Sequence, residues 1–290
     1  MYLASIVLQS LVLGTQILMI AVALYLVSAA SRIVHLAIGA IGASAAYALY
    51  WSITLGWPLW TGIAFALLVA VVLGLISAEL LEPFAVRQEP LLGLLVSFAL
   101  GIIIESLIAI FFGTDGKSLQ TGILPVVQIG GAGIDLPGII TICIGVFAAL
   151  FSWLVVHFTG VGRLLRSVAE NSALTTSLGV DNKLIRHVAY VTAAVVAAII
   201  TGLAGWHTAL VPHMGFQLVI AAFIALLMGG ISDLRGTVIA SYATAVIPGL
   251  IIGYASGFSE NWRLVFVFLI AAVVLALRPH GIFSRKTREA

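Results

Sequence analysis

The chain has 290 residues, of which 62% are hydrophobic and only 8% charged, with a formal net charge of +2. An ordinary soluble domain carries roughly 25% charged residues, so this chain cannot cover itself with polar surface and reads as a polytopic membrane protein. The small net charge, with no basic patch among aromatics, argues against nucleic acid as a partner, and the single cysteine, Cys143, rules out a disulfide framework or a cysteine metal cluster.

The first ten residues, MYLASIVLQS, lack the basic opening of a cleavable leader. Arg32 is the first positive charge and follows a long apolar run, which predicts a retained first span with its N-terminus outside. A membrane-crossing helix needs about 20 mostly apolar residues. On that scale, spans are predicted at 3–28, 33–55, 57–80, 91–112, 138–159, 188–209, 215–231, 236–257 and 262–277. The stretch 215–231 is short and reads either as a full span or as a re-entrant segment. The expected fold is therefore all-α: a single-domain membrane bundle, 1–290, of eight or nine transmembrane helices. In the second span Gly39, Ala40, Ala43 and Ser44 recur at four-residue spacing, the pattern that lets helices approach closely in lipid.

Arg87, the segment Arg163–Arg186 and the tail RPHGIFSRKTREA (278–290) hold nine of the 13 basic residues, whereas the 113–137 loop has only Lys117. The positive-inside rule then makes the charged segment and the C-terminus cytoplasmic.

Ionisable and helix-breaking residues within spans are the candidates for a solute path. A charged side chain at the bilayer centre costs about 2.5–3.5 kcal/mol on insertion scales, so Glu105, in GIIIESLIAIFF, reads as a path residue or as half of an interhelical hydrogen bond. His35, a turn beyond Arg32, is a second candidate, with a headgroup anchor as the alternative. Gly229 and Gly230 form the sort of break through which transporters expose backbone groups, or a kink for packing. Trp206, His207 and His213 around Pro212 read as interface aromatics and a satisfied histidine, since two histidines without a third ligand make a poor metal site.

The segment RLLRSVAENSALTTSLGVDNKLIR (163–186) holds six of the 24 charged residues. Two short helices are predicted here. Arg163, Arg166 and Glu170 recur at helical spacing in the first, with Leu164 and Val168 as its apolar stripe. Asn171 then caps the run Ser172–Leu178, Gly179 supplies a left-handed stop, and Asp181 caps the helix that enters the membrane. Such an amphipathic piece either rests on lipid headgroups or is held by another protein.

GRLLRSVAENSALTTSLGV resembles the cytoplasmic loop of the Liv-type permeases, the membrane subunits of branched-chain amino-acid ABC importers. Gly162, Arg163, Arg166, Glu170, Asn171, Leu178, Gly179 and Val180 stand where that family has Gly-Arg-x-x-Arg-x-x-x-Glu-Asn and Leu-Gly-Ile/Val. GFQLVIAAFIALLMGGISDLRGTVIAS, FGTDGKSL and RPHGIF are similar to further family stretches, so the resemblance covers roughly residues 8–283. Length and span count favour the LivH-like over the LivM-like type. Two places depart from the pattern: His35-Leu36-Ala37-Ile38-Gly39, where the family usually has Asn-Phe-Ala-His/Gln-Gly, and Ser232-Asp233 in the turn after Gly229-Gly230-Ile231.

The resemblance implies an ABC importer permease in a bacterial inner membrane, non-catalytic and without a cofactor of its own. In its coupling loop at 160–187, Arg163, Arg166, Glu170, Asn171, Leu178 and Gly179 would dock against separate ABC ATPase subunits, which use the ATP. The implied partners also include a second permease subunit (LivM-like or a copy of this chain), an extracytoplasmic substrate-binding protein and membrane lipid. Branched-chain or other hydrophobic amino acids are the implied cargo, with urea, short amides and small organic acids as alternatives within the family. An ion- or proton-coupled secondary transporter is a more remote alternative, since Glu105 alone offers a coupling carboxylate. Gly116-Lys117-Ser118 is no phosphate loop, because Phe111 stands where the first glycine belongs.

Overall fold

The computed structural model describes residues 2–119, 126–129, 132–170, 172–230, 233–255, 257–278 and 281–282. Thirty residues without one charged side chain, Tyr2–Ser31, form the continuous helix α1. A helix apolar on every face belongs inside a bundle. Helices on all sides bury α1, and its hydroxyls turn back on their own backbone: Thr15 donates to the Leu11 carbonyl, Ser28 to Tyr25 and Ser31 to Val27.

The remaining elements are α2 (Ile38–Thr54), α3 (Leu59–Val86), α4 (Pro90–Phe112), an antiparallel hairpin of β1 (Val126–Ile129) and β2 (Ala132–Asp135), α5 (Leu136–Phe158), α6 (Gly160–Glu170), α7 (Ser172–Ser177), α8 (Asn182–His207), α9 (Met214–Gly229), α10 (Leu234–Tyr254) and α11 (Arg263–Leu277). Among the described residues, seven helices, α1, α3, α4, α5, α8, α10 and α11 with the 3-10 turn before it, are long and apolar enough to cross a membrane. The all-α membrane bundle expected from the sequence is the fold observed. The stretches expected at 33–55 and 215–231 are helical over only 17 and 16 residues.

Both short helices follow an unwound stretch, 32–37 before α2 and 208–213 before α9. Ile33 lies against Gly93 near the start of α4, and Ala37 against Gly101 at its middle. The chain therefore climbs back up α4 by about 12 Å, at 1.5 Å per residue, before α2 begins. Backbone polar groups inside a membrane must find partners within the protein. Ser97 of α4 meets that need twice, accepting from the Leu36 amide and donating to the Val34 carbonyl. In the second stretch Leu210 exchanges both backbone hydrogen bonds with Lys117, and the Tyr47 hydroxyl donates to the Leu210 carbonyl.

The same plan thus occurs twice. Ser31 and Ile38 are separated as His207 and Met214 are, and α1–α2–α3–α4 is matched by α8–α9–α10–α11. Helix α1 packs on α9 and α10, and α8 packs on α2 and α3. The copies run in opposite senses. The C-termini of α1 and α3, the N-terminus of α8 and α6 meet at one end, here the basic end. The C-terminus of α8, the hairpin and the N-terminus of α1 meet at the other, the hairpin end. The first turns of α2 and α9 touch at Gly39 and Gly215, where a Cβ on either residue would overlap the other's carbonyl.

Candidate functional site

The charged segment folds at the basic end as two short helices. α6 lies against α1, α5 and α8. Leu165 and Val168 face inward, Leu165 meeting Ala30 and Ala189, while Arg163 is exposed. Leu165 replaces Leu164 in the expected inward stripe. Leu164 instead borders an apolar hollow of about 400 Å³ with Phe151, Leu184 and Val188. Arg166 and Glu170 lie on the same helix, and Asn171 lies outside the described residues, as do 231–232 and the tail from 283.

α7 is fixed to the start of α8. The Thr175 hydroxyl donates to the Asn182 side-chain oxygen at 2.8 Å, and the Asn182 amide donates to Thr176 at 2.9 Å. Gly179 has φ +81, the left-handed backbone that glycine adopts without steric cost, and Asp181 accepts from the Leu184 amide. With its back secured, α7 and its turn present Leu174 and Leu178, 56% and 73% exposed, on the outer surface of a charged region.

α8 runs from this surface into the bundle, where it packs on α1, α2 and α3. Arg186, 5% exposed, grips Glu82 of α3 with two parallel hydrogen bonds, from Nε at 2.8 Å and from Nη2. Lys183 pairs with Glu79 at 2.8 Å, and His187 reaches the same carboxylate at 3.2 Å. The first pair is desolvated, so its two charges depend on one another; the second is solvated and screened. The sequence reading ended its third span at residue 80 and singled out neither glutamate. The available signal was two acids three residues apart, Glu79 and Glu82, matching Lys183 and Arg186.

The remaining candidates are not gathered with this surface. His35 sits in the unwound stretch before α2, fully buried, its ring edge-on to Tyr190 at 5.1 Å and both ring nitrogens without a partner. Glu105, midway through α4, faces the backbone of Phe216 in the first turn of α9, and its Oε1 is buried and unpartnered. Gly229 packs directly on Gly236, and Gly230 ends α9 with φ +101. His207 bonds Asp135 at 2.6 Å, tying the hairpin to α8.

A family model described as "Branched-chain amino acid transport system / permease component" matches residues 6–275. The high-affinity branched-chain amino acid transport system permease protein BraD of Pseudomonas aeruginosa is 31% identical over 135 residues, 44% of this chain and 41% of its own length. LivH of Escherichia coli K12 is 29% identical over 140 residues, 46% of this chain and 43% of its own length. A probable LivH of Methanocaldococcus jannaschii is 28% identical over 134 residues, 45% and 42% of the two lengths. The matched stretch thus spans less than half the length of each curated relative. Among solved structures, PsaBC from Streptococcus pneumoniae in complex with Fab has a chain that overlays 97% of this one, and 92% of itself, at 17% identity and a TM-score of 0.49. By the match over residues 6–275, the chain belongs to the family of permease components of branched-chain amino acid transport systems.

Proposed function

We propose that this chain is the membrane permease subunit of an ABC importer, with α6 and α7 as the surface on which separate ATPase subunits dock. The exposed Leu174 and Leu178, carried on a helix bolted to α8, are the observation that bears this reading. The basic end is cytoplasmic and the N-terminus outside, in keeping with Arg87, Arg163, Lys183 and Arg186 gathered there. ATP hydrolysis belongs to the partners. This chain supplies a helix pair, α3 and α8, joined by the Arg186–Glu82 bond, which carries displacement of α7 into the bundle. ATP biases the cycle only by binding one conformation of the assembly more tightly than the other.

The cargo is a branched-chain or other hydrophobic amino acid, delivered by an extracytoplasmic binding protein. A second permease, a LivM-like chain or a copy of this one, covers the apolar faces of α4 and α11, where Ile103, Ile110, Phe111 and Leu277 are exposed. Burial of a leucine side chain stabilises an interface by about 1.5–3 kcal/mol. Leu178→Ser is therefore expected to weaken association with the ATPase subunits about tenfold or more, at 1.4 kcal/mol per factor of ten, with matching loss of ATP-driven uptake in proteoliposomes. Unchanged association and uptake in a Leu174→Ser/Leu178→Ser protein would overturn the docking assignment.

A further inference from the structure

The apolar hollow beside α6, about 400 Å³, lies between α1, α5, α6 and α8 at the basic end, within the volume range of small-molecule sites. Ser152 and Thr192 are its polar lining residues, and the Thr192 hydroxyl turns back on its own helix, donating to the Val188 carbonyl at 2.7 Å. The rest of the lining is apolar. Two of its walls belong to α5 and α8, segments long and apolar enough to cross a membrane. Phe151, Leu184 and Val188 at its rim are each more than half exposed. The hollow therefore opens sideways into the bilayer, and its occupant must be apolar.

Shape narrows the choice. The lining follows α8 from Leu184 to Val196, about 18 Å at 1.5 Å per residue. Drawn out over that length, the hollow averages roughly 5 Å across, half the diameter of a helix. A partner's membrane helix cannot enter it, whereas one extended hydrocarbon chain can. A reach of about 18 Å from the basic end also corresponds to one leaflet, a little over half of a hydrocarbon core about 30 Å thick. Charge narrows the choice again. Arg163 and Lys183, both exposed, directly precede the lining residues Leu164 and Leu184. Lys183 leans to Glu79, which leaves Arg163 as the cation at the mouth. A guanidinium there suits a phosphate, with which it forms charge-assisted hydrogen bonds.

We propose that this hollow is a binding site for one anionic phospholipid of the leaflet at the basic end. One acyl chain lies between α6 and α8, and the phosphate meets Arg163. The acyl chain fills the gap behind Leu164 and Leu165, so the lipid braces α6 against the bundle. The site depends on the fold alone; that bracing α6 steadies the surface offered to ATPase subunits rests on the permease reading.

The test is native mass spectrometry of the full chain, purified in detergent without ATPase subunits. Phosphatidylglycerol and phosphatidylcholine with identical acyl chains are the probes. One phosphatidylglycerol per chain should be retained, about fivefold more tightly than phosphatidylcholine, the contribution of one basic side chain to anionic lipid binding. Arg163→Gln should erase that preference, and Thr192→Trp, which fills the hollow from an exposed position, should release both lipids. Equal affinity for the two lipids, a preference unchanged by Arg163→Gln, or retention unchanged by Thr192→Trp overturns the proposal. So does a dimer of the chain that Thr192→Trp dissociates, because the occupant is then a second copy. Should Thr192→Trp fail to fold, phosphatidylglycerol with a photoreactive acyl chain decides, on the unaltered protein in vesicles. Crosslinks should concentrate on Phe151, Leu164 and Leu184; crosslinks spread evenly over the exposed faces of α4 and α11 overturn the site. Because no ATPase is present, failure here leaves the docking surface untouched, and failure of the Leu174 and Leu178 test leaves this site untouched.

Discussion

The two copies of the four-helix plan, α1–α4 and α8–α11, agree in backbone and differ in charge. Both join a long helix to a short one through six unwound residues, and both start the short helix on a bare glycine contact, Gly39 against Gly215. Yet Arg186 stands as far before His207 as Ser10 stands before Ser31. In the second copy that position holds a buried ion gripping Glu82; in the first it holds a serine close against Gly249. The shared plan is thus a matter of small residues and close packing, while the cation that grips Glu82 stands in the copy that begins beside α7. Symmetry supplies the frame and asymmetry supplies the handle.

The largest expected effect removes the asymmetry. Arg186→Met leaves Glu82 buried and unpaired and should destabilise the chain by about 3–5 kcal/mol, whereas Arg186→Met with Glu82→Met should recover most of that loss in a thermal melt. The matching change in the other copy, Ser10→Ala, should cost under about 1 kcal/mol; equal effects would break the comparison. Next come the junction glycines. Gly39→Ala and Gly215→Ala each force backbone apart and should cost about 1–3 kcal/mol, similar for both if the junction is symmetric. Ser97→Ala and Tyr47→Phe remove the bonds that hold the two unwound stretches and should each cost about 1 kcal/mol, read as earlier hydrogen exchange at Leu36 and Lys117. Smallest is Gly202→Ala: a helical glycine with nothing within 4 Å of its missing Cβ should stabilise by roughly 0.5–1 kcal/mol when replaced.

Much of this was legible from the residues. Gly179 and Asp181 end and begin helices as their chemistry requires, and the charged segment stands out because its neighbours carry no charge. Hydropathy reads only length, and there it fell short. The third span was expected to stop at residue 80, yet α3 continues to Val86 because Glu79 and Glu82 find cations on α8. α8 begins at Asn182, where the Asp181 cap predicts it, and Lys183 and Arg186 are paired on its first turns before the apolar stretch from 188. The unwound stretch 32–37 left no local mark. SRIVHLA holds neither proline nor glycine, and what unwinds it is Ser97, distant in sequence, taking both backbone bonds. The doubled plan was invisible for a related reason, since it survives in spacing and contact while the side chains differ.

A joint of two bare peptides has nothing to compress. Where Gly39 meets Gly215, backbone lies directly on backbone, with a Val219 methyl beside the contact. The first turns of both short helices share that one point, and their far ends lie on opposite sides of it. Backbone packed this closely leaves little slack, so a displacement of one short helix is passed to the other with little loss.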